Sequence, residues 1–124
     1  MITRRILMAG TLLSMLAAGT AAAEDTVKIG LILPMTGPFA STGRQVEAGV
    51  RAYMALKGDT VAGKKVELVL RDDAGTGDQT RRIAQELVVN DGVSILAGFG
   101  LTPLAMSVAP VLNQAKVPAI ITSA

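Results

Sequence analysis

Four short apolar runs, separated by stretches of a different rhythm, decide what this chain can fold into. Val27–Leu33 (VKIGLIL), Lys65–Asp73 (KVELVLRDD), Val93–Gly98 (VSILAG) and Val117–Ala124 (VPAIITSA) are dominated by Val, Ile and Leu, as expected of strands covered on both faces. Between them apolar residues recur at helical spacing. Val46, Val50, Tyr53 and Met54 do so within about Thr42–Leu56, Ile83, Ala84, Leu87 and Val88 in the second interval, and Leu104, Ala105, Val108, Val111, Leu112 and Ala115 from Thr102 onward. The order β-α-β-α-β-α-β predicts an α/β fold, a three-layer parallel sheet with helices on both faces. Right-handed crossovers then gather every strand-to-helix loop at one edge of the sheet, where ligands of open α/β sheets bind.

The helix ends carry their own signals. Glu47 and Arg51 stand at i,i+4 in the favourable order. Thr76 and Gln79 fit a capping box, Asp78 places a negative charge in the first turn, and Gly92 is a C-terminal stop. Pro110 lies inside the third helical pattern and is expected to bend or loosen it. Lys57–Lys64 (KGDTVAGK) reads as a turn. Gly58–Lys65 nearly spells the phosphate-binding G-x-x-x-x-G-K-[ST], but a helix precedes it, a strand follows it, and Lys65 stands where a hydroxyl is required. That context is reversed from the one in which N–H groups converge on phosphate, so a surface turn is expected.

Composition narrows the chemistry. The chain has neither Cys nor His, which excludes thiol and imidazole catalysis and the usual zinc ligands. Its first 23 residues have Arg4 and Arg5, an apolar run from Ile6 to about Ala18, and Ala21-Ala22-Ala23 before Glu24. This is the pattern of a cleaved secretory signal peptide, the apolar run being shorter than the ~20 residues of a membrane span. The mature chain is expected to start at Glu24. Two of the 12 basic residues leave with that segment, so basic and acidic residues then balance at 10 each. No basic patch calls for nucleic acid.

The loops at the predicted binding edge hold few reactive groups. Asp72 and Asp73 close the second strand. An acid there holds a ribose in dinucleotide folds, but no glycine fingerprint follows the first strand, and Gly98-x-Gly100 lacks the third glycine. Capping and turn roles are the stronger reading for both acids. Gly98–Ala105 (GFGLTPLA) is a turn into a helix, with Thr102 read as N-cap and Pro103 as first helical residue. Such a start exposes N–H groups and favours an anion, above all a carboxylate. Phe39 and Phe99, the only two Phe residues, both fall in edge loops, as core material or as the apolar wall of a small-molecule cleft.

Three stretches, VKIGLILPMTGPFASTGRQVEAGVRAY, AGKKVELVLRDDAGTGDQTRRIAQELV and GFGLTPLAMSVAPVLNQAKVPAIITSA, together resemble the periplasmic binding proteins of branched-chain amino acid ABC transporters. The resemblance covers nearly all of the mature chain. It implies a type I periplasmic-binding-protein lobe, residues 24–124 being the incomplete N-terminal lobe of a two-lobed protein. It also implies a periplasmic location, a membrane permease as partner, and a small ligand such as an amino acid or an aromatic or aliphatic carboxylate, with no cofactor and no enzymatic step. In that family the first lobe holds the carboxylate. The turn after the third strand matches Phe99, Gly100, Leu101 and Thr102. Ser123 and Ala124 match part of the S-x-S-A-T pattern after the fourth strand. Thr42 falls where an aromatic often leans on the ligand, so that this wall is altered here.

A sensor or receptor domain on the same fold is the alternative, distinguished by what lies downstream. An enzyme is the weakest class, because no nucleophile–base pair is in view. The last strand reaches the binding edge with no helix after it, so this stretch alone is expected to be a non-functional fragment.

Overall fold

The computed structural model describes residues 25–123. The predicted leader and Ala124 lie outside them. Strand β1 (Thr26–Leu33) leads into helix α1 (Ala40–Lys57), and a two-residue strand β2 (Thr60–Val61) precedes β3 (Lys64–Asp72). Helix α2 (Gly77–Val89), strand β4 (Ile95–Gly98), helices α3 (Thr102–Ser107) and α4 (Ala109–Ala115), and strand β5 (Ala119–Ile121) complete the order.

The sheet order is β2-β3-β1-β4-β5. All neighbours are parallel except β2 with β3. The chain leaves β1 toward β3 on one side and returns to β4 on the other. The carboxyl ends of β1 and β4 therefore flank the point where the winding reverses, the place where open α/β sheets open a crevice.

Three local outcomes differ from the sequence reading. The Lys57–Lys64 turn contains a hairpin, with Thr60 opposite Lys65 and Val61 opposite Lys64. Ala62 and Gly63 between them both have positive φ, 50° and 76°, the twist that a two-residue hairpin needs. Ala is an unusual residue there, so the usual Asn-Gly signal is missing. The third helix is two helices meeting at Val108, because Pro110 has no N–H to give and its ring conflicts with the carbonyl of Met106. The capping box does not form. The Thr76 hydroxyl donates to the Asp73 carbonyl at 3.3 Å, and Gln79 Nε2 donates to the Asp72 carbonyl at 3.1 Å. The Glu47–Arg51 pair forms as expected, at 2.7 Å on the surface.

Register places Ile29, Leu68 and Ile95 on one face of the sheet and Gly30, Val69, Leu96 and Ala119 on the other. The second face carries the core. Ile32 and Leu96 pack there with Ile83, Ala84 and Leu87 of α2, and with Val93, Phe99, Ala105, Val108 and Val111. Each large side chain fully buried in this layer stabilises the fold by about 1.5–3 kcal/mol relative to exposure. Among the described residues, α1 is the helix that lies over the first face. A cavity of about 420 Å³ remains between that helix and the sheet, bounded by Ile29, Val50, Met54, Val66 and Leu68.

Candidate functional site

Four loops meet at the carboxyl edge of the sheet: 34–39 after β1, 73–76 after β3, 99–101 after β4, and 122–123 after β5. Pro34 is fully buried where the first and third of these loops touch. A Cβ on Gly100 would lie 2.5 Å from Pro34 Cγ, and one on Gly43 would collide with the Pro34 carbonyl oxygen. Only glycine permits both approaches, so the loop after β1, the first turn of α1 and the turn after β4 pack as one unit.

The two adjacent acids hold this unit from the side of β3. Asp72 Oδ1 accepts from the N–H groups of Met35 (2.8 Å), Thr36 (3.3 Å) and Ala74 (2.8 Å), and Oδ2 accepts from the Thr36 hydroxyl at 2.6 Å. Burial pulls the Asp72 pKa up. The Thr36 hydroxyl and the N–H groups of Ala74, Met35 and Thr36 outweigh it and hold the carboxyl below the usual aspartate range. Asp73 is fully buried and faces the helix instead, accepting from Gly75 N–H at 2.9 Å and from the Thr80 hydroxyl at 3.0 Å. These are turn and helix-start roles, as the sequence reading preferred.

The turn after β4 is built differently. Phe99 has φ 66°, a left-handed conformation that is unfavourable for a residue with a side chain. Its N–H donates to the Ile32 carbonyl at 2.7 Å, and its ring is wholly buried in the core. The ring therefore anchors the turn from behind. Of the two roles the sequence leaves open for Phe99, core material or the apolar wall of a cleft, its side chain takes the first, having no open face. Of the two Phe residues, Phe39, 40% exposed, is the one that stays at the surface, against Gly75.

Leu101 occupies the N-cap position and Thr102 is the first residue of α3, so the reading of Thr102 as the cap is shifted by one residue. Among the described residues, the N–H groups of Gly100, Leu101 and Thr102 make no backbone hydrogen bond. The helix that follows has only six residues, which leaves these donors, more than a long helix dipole, to attract an anion.

Hydroxyl groups at the edge divide into two sets. Those of Thr36, Thr76, Thr122 and Ser123 donate to Asp72, the Asp73 carbonyl, the Gly98 carbonyl and the Phe99 carbonyl, respectively. Ser123 thus braces the turn after β4, at 3.2 Å, and keeps its lone pairs as acceptors. Thr102 is exposed and Thr42 half-buried in the first turn of α1, and neither side chain bonds to another described residue. Sequence reasoning pointed to both threonines. It missed Pro34 as the common contact of their two turns, since nothing in the spacing of Pro34, Gly43 and Gly100 shows that they meet. No group of acidic residues among the described ones is arranged to hold a metal ion.

Residues 26–124 match the sequence model of the periplasmic binding proteins. The chain belongs to that family. Within it, the chain is 47% identical over 108 residues to Leu/Ile/Val-binding protein homolog 6 of Brucella abortus (strain 2308), a match covering 86% of this chain and 28% of the relative. The structure superposes with TM-score 0.79 on a solute-binding protein of an ABC transporter from Rhodopseudomonas palustris BisB5, solved with 3,4-dihydroxybenzoic acid. That protein is 56% identical, with 81% of this chain and 28% of that one covered. A second solute-binding protein from R. palustris, solved with 4-hydroxybenzoate, gives TM-score 0.77 at 42% identity, covering 81% of this chain and 27% of that one. The chain thus spans little more than a quarter of the length of these periplasmic binding proteins, and its fold is that of part of their type I architecture.

Proposed function

We propose that these residues form the carboxylate-holding part of the first lobe of an extracytoplasmic solute-binding protein, which delivers a small organic acid to an ABC-type permease without chemical change. The observation that carries this reading is the turn at the winding reversal. Three adjacent N–H groups on Gly100, Leu101 and Thr102, and beside them the Thr102 hydroxyl, have no hydrogen-bond partner among the described residues. Such donors suit an anionic oxygen pair, and charge-assisted bonds of this kind are about twice as strong as neutral ones. The first turn of α1 with Thr42 is packed to the same Pro34 and supplies the neighbouring wall.

The ligand class follows from the relatives. The 56% identical solute-binding protein holds a dihydroxybenzoic acid and the 42% identical one a hydroxybenzoate, while the Brucella relative is named for Leu, Ile and Val. A carboxylate is common to both sets, and we favour an aromatic carboxylate. Residues 1–23 are the export signal in this reading, and the protein works in the periplasm. Thermal unfolding of the full-length protein with 3,4-dihydroxybenzoate, 4-hydroxybenzoate or leucine is the test. A true ligand at 100 times its Kd adds about 2.7 kcal/mol. If none of the three raises Tm, the reading fails.

A further inference from the structure

We propose that Asp72 is a positioning residue for the ligand edge: from its place on β3 it fixes Met35 and Thr36, and through the buried Pro34 it fixes the Gly100–Thr102 turn and the first turn of α1. The inference rests on the binding reading above but concerns a residue outside the donor turn.

The geometry has three links. The first is the clasp itself. One carboxylate collects three N–H groups and one hydroxyl, and two of those N–H groups and the hydroxyl come from Met35 and Thr36, more than 30 positions earlier in the chain. The second is the exposure of the segment it holds. Thr36, Gly37, Pro38 and Phe39 are all exposed, so no core packing competes with the clasp in setting their path. The third is Pro34. It is fully buried and directly precedes Met35, and it sits against Gly43 on one side and Gly100 on the other with no space to spare. A close-packed contact of this kind transmits displacement instead of absorbing it. Movement of Met35 therefore reaches both turns that carry the free threonine hydroxyls.

Asp73, next in sequence, cannot replace Asp72. Its carboxylate is directed to Gly75 and Thr80. Asparagine can replace Asp72 in part. Its carbonyl oxygen can still accept the three N–H groups, and its amide can donate to the Thr36 oxygen, whereas alanine removes every contact.

The experiment compares Asp72→Ala and Asp72→Asn with wild type in the full-length protein, by titration calorimetry with 3,4-dihydroxybenzoate and by amide hydrogen exchange. Loss of preorganisation in the alanine variant should weaken affinity about tenfold, with the asparagine variant within about threefold of wild type. Exchange should quicken at Met35, Thr36 and Ala74 while Ile32 and Leu96 stay protected. Unchanged affinity and protection in Asp72→Ala would overturn the proposal. So would a loss of protection spread evenly into the core, which would make Asp72 a general stabiliser. If wild type does not bind this probe or leucine, the binding reading fails. The exchange pattern then decides the clasp alone: local loss upholds the link from Asp72 to the loop, and its absence overturns it.

Discussion

Two turns at the same sheet edge differ in what they do with their polar groups. The turn after β3, residues 73–76, satisfies itself: Asp73 takes Gly75 N–H and the Thr80 hydroxyl, the Thr76 hydroxyl goes to the Asp73 carbonyl, and the Ala74 N–H goes to Asp72. The turn after β4, residues 99–102, ties down only its beginning. Phe99 is fixed by its N–H bond to Ile32 and by its buried ring, and the next three N–H groups have no backbone partner among the described residues. A closed turn contributes stability. An open turn on a rigid base keeps its hydrogen-bonding capacity for something from outside. Acidic side chains therefore mark the structural turn here, and the turn without any acid marks the candidate site.

Removing a group from the closed turn should cost folding and spare recognition. Asp73→Ala leaves the Gly75 N–H without its acceptor, while the Thr80 hydroxyl keeps the Thr76 carbonyl at 2.7 Å; at roughly 1–3 kcal/mol per unsatisfied group this destabilises by about 1–3 kcal/mol. Chemical denaturation of the full-length protein should show this as a lower midpoint with unchanged slope, and ligand affinity at low denaturant should remain near wild type. A strong affinity loss with normal stability would reverse the roles of the two turns.

The open turn should show the opposite pattern. Thr102→Ala removes an exposed hydroxyl with no partner among the described residues, so stability should move by no more than about 0.5 kcal/mol. Affinity for a carboxylate ligand should fall by about 1.5–3 kcal/mol, the loss of one hydrogen bond to a charged group. Calorimetry that returned wild-type affinity would leave this turn as a helix start only.

The smallest effect comes with acid. The folded-state pKa of Asp72 is depressed, so its contribution is complete above the unfolded aspartate value of about 3.9 and is lost as pH falls through the lower folded value. Protection factors at Met35 and Thr36, exchange rates referred to the intrinsic rate at each pH, should be constant from neutrality down to about pH 4 and fall only below it. Loss of protection beginning near pH 6 would show that the clasp does not depend on this carboxylate.

Much of this layout was legible in the sequence because it rests on local patterns. Strands β1, β3 and β4 are apolar runs bounded by breakers, and the inward stripe Ile83, Ala84, Leu87 of α2 packs into the core as its spacing implied. What escaped depends on contacts between distant residues or on uncommon local choices. The Ala62-Gly63 hairpin uses a residue rarely seen with positive φ. Thr76 and Gln79 had the right spacing for a capping box, but the nearby carbonyls of Asp73 and Asp72 took their side chains. Phe99, which the sequence left open between core and cleft, is in the core: it ends β4 in a left-handed conformation and its ring is buried. Thr102 could be singled out by its place in the turn, and Thr42 and Ser123 by the family resemblance. The buried Pro34 that joins the first two turns could not, since its neighbours Gly43 and Gly100 are far apart in the chain.

The central claim is that the open turn, and not the closed one, meets the ligand. Backbone amide chemical shifts of the full-length protein, followed while 3,4-dihydroxybenzoate or leucine is titrated in, test it directly. The account predicts large, saturable shifts at Gly100, Leu101 and Thr102, with Gly75 and Thr76 unmoved. Saturable binding that shifts Gly75 and Thr76 and leaves Gly100, Leu101 and Thr102 unchanged would contradict it.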